Sequence, residues 1–239
     1  MARKTARKSA PSPTPATAAS DAAATTRDKI IAAFLALLAE KPIEQIDRAD
    51  IAASAGVPLA ELRNAFSSPL AIVAAHIKAV DTAVLAEDLN EMADEPPRER
   101  LFDVLMRRLE LLTPHREALR SLLRSARRNP ALAFALNGLA VRSQQWMLTA
   151  AGIGASGPRG LLRAQGLAVL FGTVLQSFVD DDDPGLAGTM AALDRALGRG
   201  QRFAGLLDDL FRVSSRICQL RPRRRRRRRT EDFEEPAAA

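Results

Sequence analysis

The residues of this chain with the clearest chemical potential lie in one short stretch, DIAASAGVPLAELRNAF, at positions 50–66. Arg63 and Asn64 are adjacent near its end, and these residue types pair with the edges of guanine and adenine in the major groove of DNA. Glu61 could accept a hydrogen bond from cytosine, although beside a phosphate it would repel. The stretch therefore indicates hydrogen bonding to bases.

Turn and cap residues around this stretch predict two short helices joined by a tight turn. Asp47 can cap the first helix, and Gly56 can adopt the left-handed conformation that ends it. Pro58 suits the first position of the second helix. An apolar helix that begins near Thr25 precedes both, so the sequence predicts three helices around a small core. The expected core members are Leu35, Ile51, Leu62 and Phe66.

The remainder of the chain also has helical patterns. Alanine and leucine fill long stretches, aromatic residues make up only 4% of the chain, and no alternating Val/Ile/Thr run predicts a sheet. We predict an all-α fold of about nine helices, with an N-terminal helix-turn-helix domain and a helical ligand-binding and dimerisation bundle. The expected segments are a disordered basic arm (1–24), the helix-turn-helix domain (25–75), the helical regulatory domain (76–213) and a disordered arginine-rich tail (214–239).

The net charge of +7 is concentrated at the two ends of the chain. Residues 1–26 carry +3 and residues 216–239 carry +5, whereas the segment between them holds 22 cations and 23 acids. The N-terminal end could lie along DNA as a basic arm or remain a solvated tail. The run of seven arginines at 223–229 attracts nucleic acid or anionic lipid without specificity, and the acids that follow could partly neutralise it.

Residues 27–75 resemble the DNA-binding domain of the tetracycline-repressor (TetR) family. The positions that match its core, turn and cap pattern are Asp50, Ile51, Ala52, Ala55, Gly56, Val57, Leu62, Phe66 and Ser68. The departures fall where that family contacts phosphate, at Asp47, Pro58, Leu59, Ala60, Glu61 and Arg63. The resemblance implies a cytoplasmic, homodimeric transcriptional repressor that binds a double-stranded DNA operator. The DNA contacts it implies are Arg48, Pro58, Leu59, Glu61, Arg63, Asn64, Ser67 and Ser68.

Residues 98–203 carry a second resemblance, to a TetR subgroup and to the lipid-binding accessory protein of ubiquinone biosynthesis, which shares the TetR fold. The alternative to a DNA-binding repressor is therefore a protein that binds isoprenoid lipid and does not read DNA.

Large apolar residues in the second half of the chain could form a ligand pocket or an ordinary core. The pocket candidates are Phe102, Met106, Phe134, Trp146, Met147 and Phe171. Without a charged residue that stands out as an anchor, they favour a small apolar ligand. The candidates for a dimer face on the last two helices are Val174, Phe178, Met190, Leu193 and Leu197, and the alternative is that these faces pack inward within one chain.

Other residues point away from catalysis and metal binding. Cys218 is the only cysteine, and His76 and His115 lack other ligands at metal-binding spacing, which favours surface or helix-end histidines. The four aspartates at 180–183 suit a helix start better than a metal site. With no nucleophile–base pair or phosphate-binding glycine loop, we expect neither an enzyme nor a cofactor. The longest apolar stretch, 166–175, is short for a membrane span.

Overall fold

The computed structural model describes residues 15–86 and 94–200, with side chains from residue 25 onward. The described residues form eight α-helices and a ninth that spans 187–200, with no strand among them, which confirms the predicted all-α fold. The helices are α1 (Pro15–Glu40), α2 (Arg48–Ala55), α3 (Leu59–Ala65), α4 (Pro69–Ala86), α5 (Pro97–Leu112), α6 (Arg116–Arg128), α7 (Pro130–Ala150), α8 (Gly157–Val179) and α9 (187–200). Short 3-10 turns at Ile43–Gln45 and Thr113–His115 precede α2 and α6. Cys218, the arginine-rich tail and the ends predicted for the fourth and ninth helices lie outside the described residues.

The first helix starts earlier than predicted. α1 begins at Pro15, so the backbone of residues 15–24 is helical, whereas the sequence led us to place them in a disordered arm. The physical reason is composition: the segment PATAASDAAATT is rich in alanine, which has the highest helix propensity, and proline suits a first helical position.

The turn between α2 and α3 follows the predicted chemistry closely. Gly56 ends α2 with φ of 64°, a left-handed conformation that glycine adopts without steric cost. Pro58 is the residue before α3 and has an extended conformation, so the helix starts one position later than predicted. Asp47 occupies the N-cap position of α2, but its side chain makes no capping hydrogen bond there.

Two of the four consecutive aspartates support the start of α9. The Asp181 carboxylate accepts hydrogen bonds from Thr189 N at 2.7 Å and from Thr189 Oγ1 at 2.6 Å. The Asp183 carboxylate accepts from Gly185 N and Ala187 N, both at 3.1 Å. These bonds satisfy amide groups that have no partner inside the helix, which is why acids collect at this position.

The hydrophobic core has two parts, and α6 contributes to both. The first core joins α1, α2, α3 and the start of α4, and it also includes Ala118 and Leu122 of α6. The second core joins the end of α4 with α5, α7, α8 and α9, and Leu119 and Leu123 of α6 pack against it. Because α6 packs extensively along α1, it connects the helix-turn-helix unit to the remainder of the bundle.

α8 is long and apolar enough to cross a membrane by length and composition alone. The apolar stretch at 166–175 covers only part of this helix and did not predict that. In the structure this helix runs through the second core, where Phe171, Val174 and Phe178 are buried. The pair formed by α3 and most of α4 passes the same test only when the two helices are taken together across a bend of 57°.

Candidate nucleic-acid interface and ligand cavity

The surface of α3 presents the residues that could read bases. Leu62 is buried in the first core, and this orientation leaves Glu61, Arg63 and Asn64 exposed to solvent. Leu59 is also exposed, with 56% of its surface accessible, although it is a large apolar residue. An exposed apolar side chain next to polar base-pairing residues can contact the methyl group of thymine.

A contact that the sequence analysis did not foresee fixes α3 to α1. Arg27 Nη1 donates a hydrogen bond to the carbonyl oxygen of Ala65 at 2.7 Å, and the guanidinium lies 4.4 Å from the centre of the Phe66 ring. A cation at the C-terminal end of a helix interacts favourably with the exposed carbonyl groups there. Arg27 therefore holds the end of α3, and no local pattern could have revealed a contact between residues so far apart in sequence.

The other predicted DNA contacts also lie on the helix-turn-helix unit but differ in their exposure to solvent. Arg48, Pro58 and Ser67 are exposed. Ser68 is half-buried, and its Oγ accepts a hydrogen bond from Ala71 N at 3.2 Å, so it caps α4. The hydroxyl proton of Ser68 can still be donated to a phosphate oxygen.

One ion pair in this unit reduces the repulsion that an acid would exert on DNA. Lys41 Nζ lies 2.5 Å from Asp50 Oδ2. The hydrogen bond from Lys41 lowers the pKa of Asp50, and the positive charge of the lysine adds to that effect. Both groups are partly exposed, so the pair contributes little to stability, but it neutralises the acid at the start of α2.

Five of the six predicted pocket residues do not line the cavity described below. Phe134 and Trp146 are 81% and 59% exposed, so they lie on the outside of α7. Met106 and Met147 are buried in the second core, and Phe102 packs against it. Of the six predicted residues, Phe171 alone lines the cavity described below. Side-chain size indicates burial or contact, but it does not indicate which side of a helix faces a cavity.

A cavity of about 460 Å³ lies where α1, α4, α5, α6, α7 and α8 meet. Three of its lining residues on α8, Val169, Thr173 and Gln176, are exposed, so the cavity opens to solvent along that helix. Its apolar lining is otherwise made of Leu35, Leu38, Val73, Ile77, Val80, Leu112, Ala118, Leu119, Leu122, Leu123, Ala126, Ala133, Leu136, Ala140, Ala168, Phe171 and Leu175.

Polar groups are also present in the lining, and they correct two expectations from the sequence. His76 and His115 are not isolated, because their rings meet edge to face with 4.9 Å between centres. A charged residue is also present: Arg108 lines the cavity while only 5% exposed, and its guanidinium lies 5.1 Å from the centre of the Phe171 ring. Helical periodicity alone does not show which of the arginines of α5 faces a cavity.

The hydrogen bonding of Arg108 is incomplete. Its Nη2 lies 3.3 Å from Asp81 Oδ1, and the same oxygen accepts a hydrogen bond from Ser143 Oγ at 2.8 Å. Arg108 Nε and Nη1 are buried and have no hydrogen-bond partner in the described part of the chain. Gln144 Oε1 is likewise buried without a hydrogen-bond partner in the described part of the chain. Gln144 is 1% exposed and also lines the cavity.

Burial shifts the pKa values of the titratable side chains at and beside the cavity. Desolvation lowers the pKa of His76 to about 4, and electrostatic repulsion from His115 when it is protonated, and from Arg108, acts in the same direction. Burial also lowers the pKa of His115 and raises the pKa of Asp81, the latter against the opposing effect of Arg108. Both histidines are therefore neutral at neutral pH, whereas arginine stays charged. Among the described residues that line the cavity, Arg108 carries the positive charge.

The predicted dimer face needs correction. Val174, Phe178, Leu193 and Leu197 are at most 6% exposed within a single chain, so they pack in its own second core. Met190 is 39% exposed and remains available. The outer stripe of α8, at helical spacing, consists instead of Leu162, Gly166, Val169, Thr173 and Gln176.

No family model matches the chain, and no curated protein matches it. Among solved structures, it is similar to a TetR transcriptional regulator from Rhodococcus sp. RHA1, with a TM-score of 0.55 and 21% identity over 74% of this chain and 96% of that one. A TetR-family transcriptional regulator from Streptomyces coelicolor matches with a TM-score of 0.47 and 14% identity, covering 80% of this chain and 98% of that one. The first likeness confirms the predicted TetR fold.

Proposed function

We propose that this protein is a DNA-binding transcriptional repressor that acts as a homodimer and whose affinity for DNA is controlled by a small molecule in the cavity. The observation that carries this proposal is that the cavity and the core beneath α3 share lining residues. Leu35, Leu38 and Val73 belong to the core that supports α3, and the same three side chains line the cavity. A molecule that fills the cavity therefore contacts α1 and α4 directly, so it can change how these helices hold α3.

The exposed surface of α3 supports the DNA-binding part of the proposal. Arg63 can donate two hydrogen bonds to guanine, and Asn64 can pair with adenine, because both side chains are free of the core. The neighbouring Glu61 repels phosphate and selects for a site that offers cytosine. Specificity would come from these base contacts, whereas contacts to phosphate fix the position of the protein on the duplex.

The test begins by selecting a binding sequence from a random DNA library with the full-length protein. Arg63→Ala should then weaken binding to the selected site by roughly 5- to 150-fold, because a bidentate arginine–guanine contact is worth about 1–3 kcal/mol. Binding to random DNA should change much less. Arg142→Ala is the matched control, since Arg142 is an exposed arginine on α7, outside the helix-turn-helix unit.

Equal effects of Arg63→Ala and Arg142→Ala would refute base reading by α3. If the library yields no selected sequence and the purified protein carries isoprenoid lipid, the lipid-binding alternative replaces the proposal.

The outer stripe of α8 supports a revised dimer contact. Gly166 lies on this stripe, and a Cβ atom added to it would meet nothing within 4 Å in its own chain. A second chain could therefore approach the helix backbone closely at this point, as small residues at helix–helix contacts allow. Leu162 and Val169, one turn away on either side, are exposed apolar residues that such a contact would bury.

A pair of glycine substitutions tests this interface. Gly138 on α7 is also helical and exposed with open space around it, so Gly138→Arg matches Gly166→Arg in helix propensity and charge. Gly166→Arg should shift sedimentation toward monomers, whereas Gly138→Arg should leave a dimer. Dissociation by Gly138→Arg alone would place the interface on α7, and a monomeric wild type at micromolar concentration would refute the dimer.

A further inference from the structure

We propose that the cavity binds an aliphatic monocarboxylate, with the carboxylate at Arg108 and the hydrocarbon chain along the apolar wall between α6, α7 and α8. This inference rests on the proposed function only in identifying the cavity as the site of the controlling ligand. It replaces the purely apolar ligand that the sequence favoured.

The apolar wall favours a hydrocarbon chain. Apart from Phe171 and the two histidines, the apolar lining consists of aliphatic leucine, isoleucine, valine and alanine side chains, including Leu119, Leu123 and Ala126 on α6. Such a surface fits a flexible aliphatic chain and offers little stacking area to a flat aromatic ligand. The volume of about 460 Å³ lies in the range of pockets that hold small organic molecules.

The polar groups favour an acceptor with negative charge. Arginine has five N–H donors, and Asp81 engages Nη2 from one side, which leaves buried donors on Nε and Nη1 without partners in the described part of the chain. A carboxylate oxygen would accept charge-assisted hydrogen bonds from these donors, which are the stronger kind. Gln144 can add donors, because rotation of its amide exchanges Oε1 with Nε2.

Asp81 is the neighbouring acid that repels a ligand carboxylate, and its ion pair with Arg108 and its hydrogen bond from Ser143 reduce that repulsion. Asp81 already forms an ion pair with Arg108 and accepts from Ser143, so the carboxylate of the ligand needs only the remaining donors. His76 and His115 are neutral at neutral pH, and each can donate one ring N–H. Asp81 would repel a dianionic head group more strongly than a monoanion, and a cationic head group would meet Arg108 unfavourably.

The test uses calorimetry on the full-length protein without DNA, with decanoate, decanol and methyl decanoate as probes. These molecules share one hydrocarbon chain and differ in the head group. Decanoate should bind roughly tenfold or more tightly than the alcohol and the ester, because only the acid makes charge-assisted bonds to Arg108. Bound decanoate should also raise the pKa of His76, which NMR titration of the imidazole would detect.

Two variants locate the site. Gly172 lines the cavity, and a Cβ atom added there meets nothing within 4 Å, so Gly172→Phe should occupy the cavity and abolish binding of every probe. Gly138→Phe on the outer side of α7 is the control and should bind as the wild type does. The double variant Arg108→Met with Asp81→Asn removes both charges together, so it leaves no unpaired buried charge, and it should reduce decanoate affinity to that of decanol.

Equal affinity for acid, alcohol and ester in the wild type would overturn the assignment of the head group. Binding of decanoate that survives Gly172→Phe would overturn the assignment of the cavity, and so would the absence of binding by all three probes. These outcomes differ from failure of the proposed function, because decanoate binding is measured without DNA. A protein that binds decanoate but selects no DNA sequence would refute only the repressor.

Discussion

The half-buried histidine His76 predicts a loss of stability in mild acid. His76 lines the cavity beside His115 and Arg108, and burial lowers its pKa from 6.5 to about 4. Between these two values the unfolded chain binds a proton that the folded chain does not bind. The free energy of unfolding therefore decreases as the pH falls from about 6.5 to about 4, and the full contribution is present above about 6.5.

The size of this loss follows from the pKa difference. Each tenfold difference in proton affinity corresponds to about 1.4 kcal/mol, so the change from 6.5 to about 4 sets an upper limit of about 3.4 kcal/mol. The ring is partly accessible to water, which weakens the effect, and we expect about 2 kcal/mol. For a chain of this length that loss lowers Tm by about 4–8 °C.

The assay compares wild type with His76→Gln by urea unfolding at about pH 7 and about pH 4.5. Glutamine stays neutral at both values, and the carboxylates elsewhere titrate equally in the two proteins, so their difference isolates His76. The wild type should lose about 2 kcal/mol more than the variant between the two conditions. Parallel losses in the two proteins would refute the argument, because they would mean that the imidazole is protonated to the same extent in the folded and unfolded chains.

Three further perturbations test contacts that position the site. Asn129 Oδ1 accepts a hydrogen bond from Leu132 N at 3.1 Å, so Asn129→Ala should lower the free energy of unfolding in urea by about 1 kcal/mol. Asn129→Ser should restore most of this stability, and an unchanged stability in Asn129→Ala would contradict the capping role. Arg27→Ala should speed amide hydrogen exchange in α3 without affecting α7, and equal exchange in both proteins would show that this arginine does not hold α3. Leu38→Ala, at a side chain that is 1% exposed, should cost about 2–5 kcal/mol and enlarge the cavity, and a loss below about 1 kcal/mol would contradict its place in the core.

The fold could be predicted because its helix ends depend on local chemistry. Gly56 at a left-handed turn, Pro69 at the first position of α4 and Asn129 at the cap of α7 each act within a few residues of chain. The alanine-rich segment before Thr25 was misjudged, because low hydrophobicity indicates poor burial but does not prevent a helix.

The cavity was harder to predict because it depends on which helix faces meet. Phe134 and Trp146 were chosen for their size, yet they face outward. A usable signal was nevertheless present in α5, where Arg108 continues the stripe of Leu101 and Leu105 at helical spacing, and all three residues are buried. A lone cation on an apolar stripe indicates a buried charge that needs partners.

The residues predicted for a dimer face were placed wrongly because sequence alone does not show which helix faces meet. Val174, Phe178, Leu193 and Leu197 repeat at helical spacing, and that pattern correctly indicates a buried face. Periodicity does not say whether the face is covered by the same chain or by a second one. The face of α8 that stays exposed in the single chain is the opposite one, where apolar residues flank Gly166, and it is therefore the face proposed for the dimer.

The proposed coupling between the cavity and the surface of α3 would pass through α6. On one side its Ala118 and Leu122 pack in the core that supports α3, and on the other side its arginines hold the end of α8, since Arg120 donates to the carbonyl oxygen of Val179 and Arg116 to that of Asp181. A ligand against the cavity side of α6 would press this helix toward α1, along which it packs extensively, or strain those bonds to the end of α8. Because hydrogen bonds that are lost without replacement are costly, we expect the bonds to α8 to persist and the displacement to pass to α1, and from there through Arg27 to α3.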